Sequence, residues 1–284
     1  MIKYKLCSEA TDDQIYEAFN KGFSDYMIKL SMDKEDMIER FFGPEGNEKE
    51  LSYVALDGES GVGLILGGMR MLNGVKTMRC GTMCIIPEYR GKGIAQILMD
   101  MHKQAGRETG CRQMFLEVIV GNDRAINFYK KNGYEKVYDL EYFNMPKLEI
   151  SKMSILPIEE NYEIKRVGYY DVLTYRKELF DLHLPWQSDI EYFKSMKAKY
   201  YQVFEGENTI ASGAIHKGNI FFLHVEPRYR GYGIGMALLF EMLRKEDFES
   251  VRVTLTNNAV MRGFCQGLGM KKNDLMQYEM YLQL

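Results

Sequence analysis

The strongest constraint on how this chain of 284 residues folds is a nine-residue segment that occurs twice. Residues 87–95 read PEYRGKGIA, and residues 227–235 read PRYRGYGIG. In each half an apolar run precedes the segment and apolar residues at helical spacing follow it, which predicts a strand, a turn and a helix in that order. A repeat of this kind indicates two divergent copies of one domain.

The segments that follow each copy also match. After the first copy, residues 114–122 are typical of a buried strand, and residues 123–134 predict a short helix with an Asn-Gly signal at its end. After the second copy, residues 251–258 and 259–270 repeat the strand and the helix. The two halves therefore share their order of elements as well as their glycine-rich turn.

Each half has the size of an ordinary domain. Two prolines interrupt the pattern within residues 144–161, so we predict an N-terminal domain at residues 1–146 and a C-terminal domain at residues 147–284. Upstream in the first half, Thr11 opens a capping-box signature and Asp33 predicts the start of a second helix.

Charge and composition exclude several classes of protein. The formal net charge is −3, so the basic surface typical of a nucleic-acid-binding protein is missing. No apolar segment has the length of a signal peptide or a membrane span, and we expect a cytoplasmic protein that does not bind a membrane. The five cysteines are odd in number and the four histidines include no helical ligand pair. Reduced, buried thiols and no metal site are therefore expected.

The first glycine-rich turn has the properties of an anion site. It lies where a strand ends and a helix begins, and the first amides of a helix have no partner within it. The helix dipole adds partial positive charge there, and glycines let the backbone approach a bulky ligand. A diphosphate is the ligand that such a turn favours.

On these segments the chain resembles the GCN5-related N-acetyltransferase (GNAT) superfamily, in a tandem arrangement over nearly its whole length. The resemblance implies an α/β fold in each half: a mixed, mostly antiparallel sheet flanked by helices, with a central parallel strand pair that splays apart. It also implies acetyl-CoA as cofactor and two loops that bind its pyrophosphate. The matching residues are Arg90, Gly91, Lys92, Gly93, Ile94 and Ala95 (loop 1) and Arg230, Gly231, Tyr232, Gly233, Ile234 and Gly235 (loop 2).

By the same resemblance, main-chain groups of Cys84, Ile85 and Ile86 pair with the pantetheine arm, and one amide there faces the acetyl oxygen. Asn122 is expected to hydrogen-bond the cofactor arm, and it is also a candidate helix cap. Tyr129 matches the family's tyrosine that protonates the departing thiolate; the alternative is that it only packs in the core.

Glu117 is the candidate general base, because it interrupts an otherwise apolar strand and resembles the glutamate of ribosomal-protein alanine acetyltransferases. The alternative is a salt-bridged strand carboxylate. In the second copy the counterparts of Tyr129 and Glu117 are Cys265 and Val253. We therefore predict that the N-terminal copy is catalytic, and that the C-terminal copy is structural, binds cofactor without chemistry or lines the acceptor site. His224 and Glu226, beside loop 2, are interpreted as ordinary strand-end residues; the alternative is a polar pair at the mouth of a substrate site.

The sequence thus predicts an acetyl-CoA-dependent N-acetyltransferase that acts on a primary amine of a small molecule or peptide by direct attack in a ternary complex. A neutral amine is required, and at pH 7 an α-amine is far more often neutral than a lysine side chain. The alternatives are a non-catalytic acyl-CoA-binding scaffold and an enzyme that uses a different acyl-CoA. Either a monomer or a homodimer is compatible with two fused copies.

Overall fold

Twelve strands and eight helices make up the part of the chain that the computed structural model describes, which is residues 1–30, 32–154, 157–179, 182–189 and 197–284. The strands, in chain order, are β1 Ile2–Leu6, β2 Glu48–Asp57, β3 Ser60–Leu72, β4 Val75–Ile85, β5 Gln113–Ile119, β6 Glu135–Pro146, β7 Tyr162–Val167, β8 Lys199–Glu205, β9 Asn208–His216, β10 Asn219–Val225, β11 Ser250–Thr256 and β12 Lys271–Gln283. The helices are α1 Asp12–Gly22, α2 Lys34–Phe41, α3 Ile94–Glu108, α4 Asp123–Lys131, α5 Lys147–Ile150, α6 Tyr169–Lys177, α7 Ile234–Leu243 and α8 Ala259–Gly267.

The chain divides into two units. Unit 1 comprises residues 1–138 and 277–284, and unit 2 comprises residues 139–276. Both have the mixed α/β architecture that the sequence predicts.

In unit 1 the strands β1 to β4 form an antiparallel sheet, and β5 joins β4 in parallel. The last residues of β12, Gln277 to Gln283, then pair antiparallel with β5. Unit 2 repeats this pattern. Strands β7 to β10 are antiparallel, β11 is parallel to β10, and residues 140–146 of β6 pair antiparallel with β11.

The two units therefore exchange a strand. Strand β6 begins in the N-terminal half, but its later residues complete the sheet of unit 2, and the end of the chain completes the sheet of unit 1. This grouping differs from the contiguous division at residue 146. The difference arises because strand pairing joins segments that are far apart in sequence, which no local signal reports.

Local signals at helix and turn boundaries are confirmed. The Thr11 hydroxyl accepts from the Gln14 amide at 3.2 Å while the Gln14 side chain accepts from the Thr11 amide at 3.1 Å, so the capping box is complete. Asp33 accepts from the Asp36 amide at the start of α2. The end of α4 is followed by Gly133 with a φ of 90°, the left-handed conformation that an Asn-Gly signal predicts.

Apolar side chains cover both faces of each sheet. In unit 1 one face packs against α3 and α4 through residues such as Leu98 and Ile126, and the other packs against α1 and α2 through Phe19 and Met37. All five cysteines are free and buried, as predicted. The result in each unit is a sheet held between helices, which fixes the ends of the central strands.

Candidate active site

The central parallel pair of unit 1 is open at one end. Strand β4 pairs with β5 only from Thr77 to Cys80, although β4 continues to Ile85 and β5 to Ile119. On its other edge β4 stays paired with β3 as far as Ile85. The ends of the two central strands therefore separate, and the splayed pair predicted for the fold is confirmed.

The edge of β4 at this opening directs one main-chain donor away from β3. The Ile86 amide donates to the Val62 carbonyl of β3 at 3.0 Å, and its carbonyl accepts from the Tyr89 amide. Because main-chain groups alternate along a strand, the Ile85 amide points away from β3, toward the opening, and Cys84 points toward β3 like Ile86. Of the three residues predicted to contact the cofactor arm, Ile85 therefore turns its amide toward the opening, whereas the amides of Cys84 and Ile86 are directed to β3; the contacts with the arm stay a prediction.

Loop 1 has the geometry of an anion site. Gly91 and Gly93 have φ angles of 75° and 82°, which residues with a side chain rarely adopt. Helix α3 begins at Ile94, and the amides of residues 91 to 95 donate to no protein acceptor among the described residues. Five N–H groups at a helix start thus remain available to an anion.

The side chain of Arg90 fixes the loop from behind. Its Nε donates to the Ile85 carbonyl at 3.0 Å, and its Nη2 donates to Asp25 at 2.7 Å and to the Gly22 carbonyl at 3.2 Å. The hydrogen bond from Arg90 lowers the pKa of Asp25. The guanidinium therefore ties loop 1 to the end of β4 and to the segment after α1. Its contact with a cofactor stays a prediction.

Tyr129 lies in the core beside the splayed strands. The residue is 9 % exposed and belongs to the same apolar cluster as Cys80 and Leu116. Burial raises the pKa of Tyr129 well above its ordinary value, and the neighbouring Cys80 adds to this effect. The phenol therefore keeps its proton at any physiological pH, as a proton donor must.

Asn122, where β5 ends, caps helix α4: its side chain accepts from the Ala125 amide at 3.3 Å. It also lies close to the phenol of Tyr26, in the segment after α1; burial raises the pKa of that phenol, and Asn122 lowers it. Sequence reasoning does not single out Tyr26, because a loop tyrosine among twenty carries no local signal. The structure places it near both Asn122 and Tyr129, so this segment contributes to the site.

Glu117 is part of a buried ion pair. Its Oε2 accepts from Arg79 Nη2 at 3.0 Å, and both side chains are almost fully buried. Glu279, from β12, lies directly opposite Glu117 in the strand register. Burial raises the pKa of Glu117, and Glu279 raises it further, whereas Arg79 lowers it. The contacts of Glu117 are therefore those of a salt-bridged strand carboxylate, the alternative considered from the sequence. Arg79 and Glu279 could not be identified from the sequence, because they reach Glu117 only through the pairing of strands in the sheet.

Glu117 and Tyr129 do not lie on the same face of the sheet. The residues on either side of Glu117, Leu116 and Val118, belong to the core cluster of Tyr129. Because side chains alternate along a strand, Glu117 points to the opposite face. Tyr129 and Ile85 thus belong to the apolar cluster on one face of the sheet, and Glu117 lies on the other face of β5.

Unit 2 repeats the open strand pair and the loop. Strand β10 pairs with β11 only at Asn219 and Ile220, and the φ angles of Gly231 and Gly233 are 87° and 81°. Arg230 Nε donates to the Val225 carbonyl at 2.8 Å, which repeats the Arg90 contact. Cys265, the counterpart of Tyr129, is completely buried.

A cavity of about 980 Å³ adjoins loop 2. Its lining combines loop residues, including Arg230 and Gly233, with Asn258, Tyr175 and His224. Burial lowers the pKa of His224 to about 4, and the positive charge of Arg230 also lowers it. His224 is therefore a neutral residue that lines a cavity. The preferred interpretation from the sequence, an ordinary strand-end residue, does not include this position in a cavity wall.

The described residues include no cluster of three or more side chains able to hold a metal ion. None of the helices in the described ranges is both long and apolar enough to cross a membrane.

The splayed strand pair of unit 1 and the open amides of loop 1 follow each other directly, because loop 1 begins just after β4 ends. Residues 13–134 match the model of the Acetyltransferase (GNAT) family. The matched region coincides with most of unit 1.

Three similar proteins agree with this assignment. Over 94 residues the chain is 32 % identical to N-alpha-acetyltransferase 30 of Schizosaccharomyces pombe, a match that covers 31 % of this chain and 62 % of the relative. It is 26 % identical over 143 residues to the uncharacterized N-acetyltransferase YjcF of Bacillus subtilis, covering 50 % of this chain and 94 % of that one. The solved structure of a tandem GNAT protein from the clavulanic acid biosynthesis pathway superposes with a TM-score of 0.68 at 12 % identity, covering 100 % of this chain and 98 % of that chain. This chain therefore has the tandem GNAT fold.

Proposed function

We propose that this protein is an acetyl-CoA-dependent N-acetyltransferase, and that unit 1 transfers the acetyl group to the α-amino group of a peptide. The proposal is supported by three features of unit 1 that belong to β4, to the loop that follows it and to the apolar cluster of Ile85. These are the free amides of loop 1, the inward-directed amide of Ile85 and the buried, protonated phenol of Tyr129.

Each feature meets one demand of amine attack on a thioester. The loop amides and the dipole of α3 hold a diphosphate. The Ile85 amide is a fixed donor for the oxygen that becomes negative during attack. The Tyr129 hydroxyl supplies a proton to the departing sulfur.

An α-amine suits this site because it needs little help to lose a proton. About a tenth of such amines are neutral at pH 7, against about 0.04 % of lysine side chains. None of these three features is a carboxylate, and Glu117 is buried against Arg79 on the other face. The name N-alpha-acetyltransferase of the yeast relative describes the same class of acceptor.

The test is a thiol-release assay with acetyl-CoA and matched acceptors: a peptide with a free N-terminus, the same peptide blocked at its N-terminus but with a lysine, and a small primary amine. We expect thiol release and an acetylated product with the free N-terminus, and little with the blocked peptide. Binding of acetyl-CoA by calorimetry without thiol release against any amine would instead support the non-catalytic scaffold.

A further inference from the structure

The cavity in unit 2 contains a hydrogen-bonded pair that the proposed chemistry of unit 1 does not use. The Tyr175 hydroxyl lies 2.9 Å from Nδ1 of His224, and Nε2 of the same ring lies 3.3 Å from Nη2 of Arg230. Tyr175 is 5 % exposed, and both Tyr175 and His224 line the cavity. A buried phenol, an imidazole and a loop arginine are thus linked beside loop 2.

The chemistry of arginine fixes the direction of this chain of hydrogen bonds. A guanidinium only donates, so Nε2 of His224 accepts and the ring is neutral. Its remaining proton is on Nδ1, which donates to the Tyr175 oxygen. The Tyr175 hydroxyl hydrogen is then left free to be donated to another acceptor. The lowered pKa of His224 agrees with a neutral ring.

The rest of the lining is mainly apolar, with two carboxylates, Glu178 and Glu226, on the side of Tyr175. Past the loop glycines, the cavity is bounded by side chains from α7, α8, the strand end and the segment after α6, namely Leu179, Leu223, Met236, Val260, Met261 and Phe264. One end of the cavity thus offers amides and a helix start to an anion, and its walls offer apolar surface. A ligand that matches both has a diphosphate tail and an apolar group.

We propose that unit 2 is a second binding site, for a CoA thioester with an apolar acyl chain longer than acetyl, in which the Tyr175 hydroxyl donates to the thioester and His224 positions it. The inference rests on the GNAT fold of unit 2 and extends the proposed function, because it assigns a different acyl group to the second copy. Tyr175 comes from α6, so it occupies a different place in the fold from Cys265 of α8. Unit 2 therefore has a hydrogen-bond donor in Tyr175, although it has no tyrosine at the position of Tyr129.

Two matched variants separate the sites. Lys92 and Tyr232 occupy the same place in loops 1 and 2, and both are exposed. A glutamate at either position repels a diphosphate without disturbing the core. Calorimetric titration with octanoyl-CoA is expected to show binding in Lys92→Glu that is lost when Tyr232→Glu is added, and octanoyl-CoA is expected to bind this site more tightly than acetyl-CoA.

The role of Tyr175 is tested in the Lys92→Glu background. We expect Tyr175→Phe to weaken octanoyl-CoA binding about fivefold, the worth of one net hydrogen bond, and to leave binding of free CoA nearly unchanged. His224→Leu should have the same effect, and His224→Asn, which keeps an N–H near Nδ1, should restore binding. Circular dichroism of each variant checks its folding.

Several results would overturn the proposal. They are no octanoyl-CoA binding in Lys92→Glu, equal affinity of this site for acetyl-CoA and octanoyl-CoA, unchanged octanoyl-CoA binding in Tyr175→Phe, and equal weakening of CoA and its thioester. The last result would mean that Tyr175 only supports the fold. None of these outcomes depends on acetyl transfer by unit 1, which is measured separately with peptide acceptors.

Discussion

The two units share their open strand pair and glycine-rich loop, but they differ where the helix ahead of the sheet meets the central strand. In unit 1 that contact is made by small residues: the Cys84 thiol lies 3.4 Å from the Ala18 carbonyl, and a Cβ on Gly22 would lie 2.6 Å from the same sulfur. In unit 2 the counterpart of Cys84 is His224, and it contacts a tyrosine, Tyr175.

The size of the residues at this contact distinguishes the two units. Because Gly22 and Cys84 are small, α1 lies directly against β4, and the backbone of α1 covers that face of β4 near Cys84. A tyrosine and a histidine require more room, and a large cavity lies beside them. The loop arginines also have different partners: Arg90 hydrogen-bonds Asp25 in unit 1, and Arg230 hydrogen-bonds His224 in unit 2.

The largest expected effect tests whether chemistry is confined to unit 1. Tyr129→Phe removes the proton donor, and we expect kcat for peptide acetylation to fall by about 100-fold or more, with little change in acetyl-CoA binding. The matched variant in unit 2 is Cys265→Ser, which should leave kcat unchanged. Steady-state kinetics with calorimetry checks both, and equal turnover by wild type and Tyr129→Phe would show that the acid is assigned wrongly.

The next effect concerns the close helix contact. Gly22→Ala forces α1 away from Cys84, and we expect the free energy of unfolding to fall by about 1–3 kcal/mol, as for other overpacked cores. A Cβ added to Gly263, within α8, would meet no atom within 4 Å, so Gly263→Ala should stabilise by about 0.5–1 kcal/mol through helix propensity. Scanning calorimetry of the two variants measures whether each substitution lowers or raises the free energy of unfolding. A neutral Gly22→Ala would mean that α1 is not held closely against β4.

The smallest effect decides whether Glu117 takes part in catalysis. Its pKa is raised by burial and lowered by Arg79, so Arg79→Met should raise it further. A base acts only when ionised, and its activity grows as pH rises through its pKa. If Glu117 is the base, the acidic limb of the pH profile of kcat/KM therefore moves to higher pH in Arg79→Met.

The control for this profile is Arg107→Met, which removes an exposed positive charge from the last turn of α3 in the same unit. It should leave the limb in place. If the limb of Arg79→Met also stays where it is, Glu117 is a structural carboxylate and the amine loses its proton to water.

Much of the fold was predictable from local sequence. The capping box at Thr11, the left-handed glycine after α4 and both phosphate-type loops depend on residues within a few positions of each other. The partners of Arg79 and Arg90 were not predictable. Arg79 meets Glu117 from a neighbouring strand, and Arg90 meets Asp25 from a segment 65 residues away.

Two copies of a strand–loop–helix unit with amides open to an anion were predictable from the residues alone, because turns and helix starts are set by short-range sterics and hydrogen bonding. The exchange of β6 and β12, the buried ion pair of Glu117 and the contact of Tyr175 with His224 became visible only in the folded chain. These contacts depend on sheet register and on helix-to-sheet distance. Both are set by packing of the whole unit, so they leave no signal in any single stretch of residues.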